Sequence, residues 1–134
     1  MKVKLDQNTI QMISIFHNLT GTNVVDCLNE EDCIYFVVAE GQYGLAVGKG
    51  GAKIKNAERV FKKSIKVFEH SQDLEKFLHN LIPEIESMEM RNKMIFVKVS
   101  SSDRARTIGK AGKNVKVINK LLSRLFDVEE LKVK

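Results

Sequence analysis

The chain contains one short signature twice, with its two copies sixty-one residues apart. The first copy is Val-Gly-Lys-Gly-Gly-Ala-Lys-Ile at 47–54, and the second is Ile-Gly-Lys-Ala-Gly-Lys-Asn-Val at 108–115. Each has an apolar residue, a Gly-Lys-small-Gly tetrad, two further residues and a second apolar residue. A β-branched run lies upstream of both copies and an amphipathic pattern follows each. This repetition predicts two copies of one small α+β fold.

The pattern around each tetrad predicts helix, strand, strand, short helix, loop, helix and strand. Asp6 is expected to cap the first helix, and Gly21 is expected to end it. In the second half, Asp103 is expected to cap a short helix that ends at Ile108. The two copies align without a gap from Cys33/Met94 to Val67/Val128. We predict modules at 1–69 and 70–134, and the short connector predicts a fixed tandem arrangement.

Apolar spacing predicts which face of each helix packs on a sheet. The predicted packing residues are Ile10, Ile13, Phe16 and Leu19; Ile54, Ala57, Val60 and Phe61; Leu74, Phe77, Leu78 and Leu81; and Val115, Ile118, Leu122 and Leu125.

Positive charge is concentrated around both tetrads. The formal net charge is +5, which alone says little about partners. Its distribution says more, because residues 48–67 contain seven Lys or Arg and the single acid Glu58, and residues 104–124 contain seven basic residues and no acid. A basic surface beside each glycine loop is typical of nucleic-acid binding.

The glycine loops suit contact with a phosphate backbone. Gly48 and Gly51 can adopt conformations that other residues avoid, and they allow a phosphodiester to come close. The helix that follows each loop presents free N–H groups and the positive end of its dipole to an anion. Lys49 and Lys110 add charge at the loop tips, and the helix lysines farther from the loops are as readily explained by a solvated outer face.

These motifs resemble those of KH domains, whose Ile-Gly-x-x-Gly-x-x-Ile segment is matched by both copies. The element order is similar to the type II form, so the resemblance implies two tandem type II KH modules, each with a three-stranded mixed sheet covered by helices. In that family the loop clamps about four nucleotides of single-stranded RNA beside an apolar groove. The RNA contacts that we predict are Gly48, Lys49, Gly50, Gly51, Lys53, Lys55, Arg104, Arg106, Gly109, Lys110, Ala111, Gly112, Lys113 and Lys116. The groove-lining residues that the resemblance implies are Val47, Ile54, Ile108 and Val115, for which a core role is at least as well supported.

Among tandem KH proteins, the chain most resembles the short archaeal NusA-like proteins. That resemblance implies binding of nascent transcript in termination or antitermination, with RNA polymerase only as an indirect partner. We also expect the protein to be a monomer and to be cytoplasmic. Ribosome assembly or RNA maturation is an alternative process for the same RNA-binding activity. A protein-interaction platform is an alternative of another class, although two intact glycine loops argue against it.

Other classes of function are poorly supported. A nucleotide-binding P-loop needs G-x-x-x-x-G-K-[ST], and neither tetrad has that register. We predict no catalytic residues, no metal and no cofactor. Cys27 and Cys33 flank a predicted turn, where the favoured role is that of small buried side chains rather than a disulfide or metal site. No apolar run is long enough to span a membrane, and Met1–Leu5 shows no secretory signal.

Overall fold

Each half of the chain forms its own three-stranded mixed sheet. The structure, a computed structural model, describes residues 6–134, so the prediction about Met1–Leu5 lies outside the described residues. Two compact units divide between Asp73 and Leu74, a few residues beyond the predicted division at 69/70. The α+β class and the small mixed sheets are as predicted.

The first unit has the predicted order of elements. Its elements are helix α1 (Gln7–Thr20), strands β1 (Val24–Asn29) and β2 (Cys33–Val38), helix α2 (Tyr43–Val47), a 3₁₀ turn (Lys49–Gly51), helix α3 (Ala52–Phe61) and strand β3 (Ser64–Glu69). Strand β2 is central, antiparallel to β1 and parallel to β3.

The second unit repeats this order. Its elements are helix α4 (Leu74–Leu81), strands β4 (Ser87–Arg91) and β5 (Met94–Lys98), helix α5 (Ser101–Ile108), a 3₁₀ turn (Lys110–Gly112), helix α6 (Lys113–Leu125) and strand β6 (Glu130–Val133). Strand β5 is central, antiparallel to β4 and parallel to β6. A parallel neighbour requires a crossover. In each unit the two helices and the loop between them form that crossover, which places the loop at one end of the sheet.

The predicted ends of α1 are confirmed. Asp6 is the N-cap and its side chain accepts a hydrogen bond from the backbone N–H of Thr9 at 2.7 Å. Gly21 ends the helix with φ +76°, a left-handed conformation that glycine adopts without steric cost. The buried face is partly different from the predicted one, because Met12 and Phe16 are buried whereas Ile10 is 52% exposed.

The core of the first unit lies between sheet and helices. The Phe16 and Phe36 rings stack with centroids 3.9 Å apart, which joins α1 to the central strand. Ala57 of α3 is buried in the same cluster, with Ile54 and Phe61 packed against it. The prediction for Val60 was wrong, because this residue is 50% exposed.

In the second unit, the face that α6 buries is wider than predicted. Ile118, Leu122 and Leu125 are buried, as expected. Val117 and Leu121 are also buried, so the apolar stripe spans adjacent rows of the helix. Val115 is only half-buried, which leaves it available to a cleft at the surface.

The two copies match without a gap only as far as the helix that follows each loop. A gapless repeat of the Cys33–Ser64 pair would place Leu125 opposite Met94, but Met94 pairs with Glu130. Helix α6 is thirteen residues long and α3 is ten. The longer helix shifts the last strand, so the predicted gapless match through that strand was wrong.

The two cysteines do not face each other. Cys27 pairs across β1 and β2 with Phe36, while Cys33 pairs with Ser64 on the opposite side of β2. Neither cysteine forms a disulfide, and Cys27 is buried. Burial raises the pKa of the Cys33 thiol, which keeps it protonated and unreactive at neutral pH.

The N-cap of α5 differs from the predicted one. Ser100 is the cap, and its Oγ accepts from the backbone N–H of Asp103 at 3.3 Å. That Oγ in turn donates to the Asp103 carboxylate at 2.8 Å. The prediction that Asp103 is the cap was therefore wrong, and Asp103 instead lies in the first turn, where a negative charge is favourable.

Replacing Ser100 with alanine is expected to lower the free energy of unfolding by about 1 kcal/mol, because the first turn of α5 loses its side-chain acceptor. Urea denaturation followed by circular dichroism measures the change. Ser101→Ala, at an exposed position one residue into the helix, is the matched control, with an expected change of less than about 0.5 kcal/mol. Equal effects of the two substitutions would contradict the assignment of the cap.

Candidate nucleic-acid interface

The two glycine loops adopt the same backbone conformation. Gly48 has φ +77° and ψ 171°, and Gly109 has φ +82° and ψ 166°. After the lysine, the next two residues of each tetrad have positive φ, at +61° and +77° in the first loop and +56° and +74° in the second. The second loop keeps this geometry even though it has Ala111 where the first has Gly50.

The first glycine of each tetrad is required by space as well as by its dihedral angles. A Cβ on Gly109 would lie 2.8 Å from the backbone nitrogen of Asn114. A Cβ on Gly48 would lie 2.8 Å from Cγ and 3.0 Å from the backbone nitrogen of Lys53. At Gly112, by contrast, the nearest atom is 3.9 Å away, so only the dihedral angle favours glycine there. The chain thus folds back tightly at the first glycine of each loop.

Both loops direct an uncapped helix N-terminus outward. Gly51 and Gly112 are the N-caps of α3 and α6, and neither helix end receives a side-chain hydrogen bond. The tip residues at 49–50 and 110–111 are exposed. The backbone N–H groups of Gly51 and Ala52, and of Gly112 and Lys113, donate to carbonyls at the start of the 3₁₀ turns rather than remaining free as expected. The positive end of each helix dipole, beside an open surface, still favours an anion.

Two further lysines extend over the loops. Cε of Lys55 lies 3.8 Å from the position that a Cβ would take at Gly51, and Cε of Lys116 lies 3.9 Å from the equivalent position at Gly112. Lys49 and Lys110 are exposed at the tips. The structure therefore brings two of the predicted lysines to each glycine loop, whereas Lys113 is half-buried at the start of α6.

Lys53 is engaged within the protein. Its ammonium donates to the backbone carbonyl of Thr20, near the C-terminal end of α1, at 3.1 Å. At the equivalent position of the second unit, Asn114 Nδ2 donates to the carbonyl of Thr107 at 2.9 Å. Both side chains tie the start of the helix after the loop to an earlier helix. The sequence predicted Lys53 as an RNA contact, and it did not predict the hydrogen bond that Asn114 makes to Thr107.

Arg104 and Arg106 also have partners within their own unit. Arg106 pairs with Asp103 at 2.7 Å and with Glu84 at 3.4 Å, although 71% of its side chain is exposed. Arg104 Nε donates to the backbone carbonyl of Lys134 at 3.2 Å. The two acids reduce the positive charge around Arg106, so Lys110 and Lys116 are less compensated than Arg106.

An open cleft of about 450 Å³ lies beside the second loop. Ile108 and Val115, both predicted as groove residues, line it together with Gly112 and Lys116. Asn119 and the edge strand β6 complete the wall. In the first unit Val47 and Ile54 are half-buried at the corresponding positions, and Ile54 packs against the core.

In each unit one polar side chain connects the helix after the loop to the edge strand. Neither side chain was predicted to have a functional role. Asn119 Oδ1 accepts from the backbone N–H of Leu131 at 2.6 Å, and Asn119 Nδ2 donates to the Leu131 carbonyl at 3.2 Å. Glu58 Oε2 accepts from the backbone N–H of Ile65 at 3.0 Å. The sequence did contain a signal for these contacts, because each polar residue lies on the same helical face as the predicted groove residues.

Metal-binding clusters and membrane-spanning helices are both absent from the described part of the chain. Among residues 6–134, no group of three or more His, Cys, Asp or Glu side chains could hold a metal ion. None of the helices α1 to α6 is both long and apolar enough to cross a membrane.

Comparison with known proteins supports the fold. A family model described as KH domain matches residues 11–89, more than half of the chain. The chain belongs to the KH domain family. The match begins in α1 and includes the whole first glycine loop, so it supports the class that the first unit defines.

Curated relatives from archaea match nearly the whole chain. A protein of Methanococcus vannielii named "Probable transcription termination protein NusA" is 37% identical over 99% of this chain and 80% of its own length. Proteins of the same name from Methanocaldococcus jannaschii and Thermoplasma acidophilum are each 31% identical, over 75% and 96% of their own lengths. The solved "Crystal structure of APE1850" superimposes with a TM-score of 0.80 at 36% identity, covering 97% of this chain and all of the other.

Proposed function

We propose that this chain is a non-enzymatic protein that binds single-stranded RNA with two glycine loops, one in each of two tandem type II KH modules. The main supporting observation is that both loops share one backbone conformation. Each has an exposed lysine at its tip and is followed by a helix whose N-terminus has no side-chain cap. Each loop would hold a phosphate backbone while bases lie in the neighbouring groove. The cleft beside the second loop supports this arrangement.

The process that we propose is transcription termination or antitermination, with nascent transcript as the RNA. The names of the archaeal relatives support this choice over ribosome assembly or RNA maturation. Purification of the tagged protein from its own cells distinguishes the processes. Recovery with RNA polymerase and nascent RNA is the expected result, and recovery with ribosomal precursors would contradict it.

Single-stranded RNA affinity should fall steeply with salt. If Lys49, Lys55, Lys110 and Lys116 each neutralise one phosphate, the log–log slope is expected to be about −3, at about −0.7 per phosphate. Fluorescence anisotropy with a labelled single strand, titrated between about 50 and 200 mM salt, measures it. A duplex of the same sequence is expected to bind more weakly, because the groove admits unstacked bases.

A pair of lysine substitutions localises this effect. Lys110→Gln is expected to make the slope shallower by about 0.7. Lys98→Gln removes the same charge from an exposed position on β5 and is expected to leave the slope nearly unchanged. Equal slopes for the two variants would show that the second loop does not contact phosphate.

A further inference from the structure

A polar side chain from the helix after each loop caps the edge of the last strand in both units. In the second unit this is Asn119, which accepts a hydrogen bond from the N–H of Leu131 and donates one to its carbonyl. In the first unit it is Glu58, which holds the N–H of Ile65. Each residue lies two helical turns beyond the last glycine of its tetrad, and each strand residue is the second of its strand.

The pair occupies equivalent positions but differs in chemistry. Leu131 pairs with Ile95 and Ile65 pairs with Ile34, so the two strand residues have the same register in their sheets. The side chain that reaches them is a neutral amide in one unit and a carboxylate in the other. The amide can donate and accept, whereas an ionised carboxylate can only accept.

This position lies in the groove that we propose for bases. Asn119 lines the cleft beside the second loop, on one helical stripe with Gly112, Val115 and Lys116. By the same helical spacing, Glu58 lies on a stripe with Ile54 and Lys55 in the first unit. A base lying in the first groove would therefore face the Glu58 carboxylate.

One oxygen of that carboxylate remains available. Oε2 is bonded to the strand, which fixes the orientation of the group, and within residues 6–134 no hydrogen bond engages Oε1. Glu58 is half-buried, so water solvates it less than an exposed acid. Glu130 also lines the second cleft, but its side chain is exposed at the start of β6 and remains hydrated.

We propose that Glu58 makes the first unit select bases with an exocyclic amino group and reject uracil. Cytosine offers an amino donor that a carboxylate accepts well, as Glu and Asp do with cytosine in DNA. Uracil presents carbonyl oxygens on both sides of its ring N–H, and these repel a carboxylate and lose their hydration without compensation. Asn119 pairs with either kind of edge, so the second unit does not discriminate in this way. The inference rests on the proposed function.

The test isolates the first unit in the full-length chain. Lys110→Asp with Ala111→Asp disables the second loop, and the affinities of this protein for penta-cytidine and penta-uridine are compared. Cytidine is expected to bind about tenfold more tightly. Adding Glu58→Gln preserves the acceptor for Ile65 but supplies a donor as well, so the cytidine-to-uridine ratio is expected to fall to about threefold or less.

Glu31→Gln in the same background is the matched control, since it removes one negative charge from the exposed turn after β1. It is expected to raise both affinities slightly and to leave their ratio unchanged. A ratio that Glu58→Gln leaves intact would overturn the proposal for Glu58, even though RNA binding itself persisted. Absence of salt-dependent binding in the wild-type chain would instead overturn the proposed function, and this inference with it.

A reciprocal variant covers the case in which Glu58→Gln disturbs the fold. With the first loop disabled by Lys49→Asp and Gly50→Asp, Asn119→Glu reproduces the carboxylate of the first unit in the second. This variant is expected to gain a preference for cytidine of about tenfold. Unchanged base preference in a folded Asn119→Glu protein would overturn the proposal.

Discussion

Replacing Gly109 with alanine is expected to lower the free energy of unfolding of the second unit by about 3 kcal/mol. With φ +82° and ψ 166°, this residue occupies a region that is essentially restricted to glycine. An added Cβ would also lie 2.8 Å from the backbone nitrogen and from Cβ of Asn114. Backbone atoms cannot move away by a rotamer change as a flexible side chain can. Relief of this overlap therefore requires the loop to open.

Gly112→Ala is the matched control for this prediction. Gly112 also has positive φ, but its nearest neighbour is 3.9 Å away, and Ala111 beside it already adopts φ +56°. Its expected cost is about 1 kcal/mol, the usual penalty for a side chain in the left-handed region. Urea denaturation and amide hydrogen exchange of α6 measure both variants. Equal costs would contradict the role assigned to close packing at Gly109.

The order of elements could be predicted from the sequence because several local signals agree with the tertiary fold. β-branched runs predicted the central strands, and Asp6 and Gly21 marked the ends of α1. The tetrads predicted the loops, since positive φ and close backbone packing require the first glycine of each tetrad and positive φ favours the last one. These signals act over a few residues, so they can be recognised without knowledge of the partners.

Errors arose where local patterns allowed more than one answer. Ile10 and Met12 both fit the helical spacing of α1, and packing against the sheet selects Met12. Ser100 and Asp103 are both good caps, and their reciprocal hydrogen bonds show why spacing alone does not separate them. The sequence did not predict the extra length of α6, because the apolar spacing of this helix continues without a break into the last strand.

The chemistry at the loops was predictable in part. Lys49 and Lys110 lie at exposed tips, as their neighbours in sequence indicated. The hydrogen bond from Lys53 to Thr20 joins residues far apart in sequence, and such a pairing has no local signal. Glu58 and Asn119 were overlooked for the same reason, because a polar residue on a helix usually faces solvent and their partners lie on a later strand.

The two glycine loops are proposed to bind RNA. The most direct test of this binding places acidic pairs at both tips, with Lys49→Asp, Gly50→Asp, Lys110→Asp and Ala111→Asp in one full-length chain. The tips are exposed, and Asp tolerates positive φ better than most residues, so the unfolding transition should shift little. Negative charge at the tips would repel the phosphates that the loops are proposed to hold.

A control variant carries the same total change in charge away from the loops, through Lys76→Glu, Lys93→Glu and Lys98→Glu at exposed positions. The measurement is the affinity for a labelled single-stranded RNA at about 100 mM salt, with unfolding curves recorded on the same samples. We expect the loop variant to lose at least about 100-fold in affinity, and the control to lose much less. A folded loop variant that binds RNA as tightly as the wild-type chain would contradict the account.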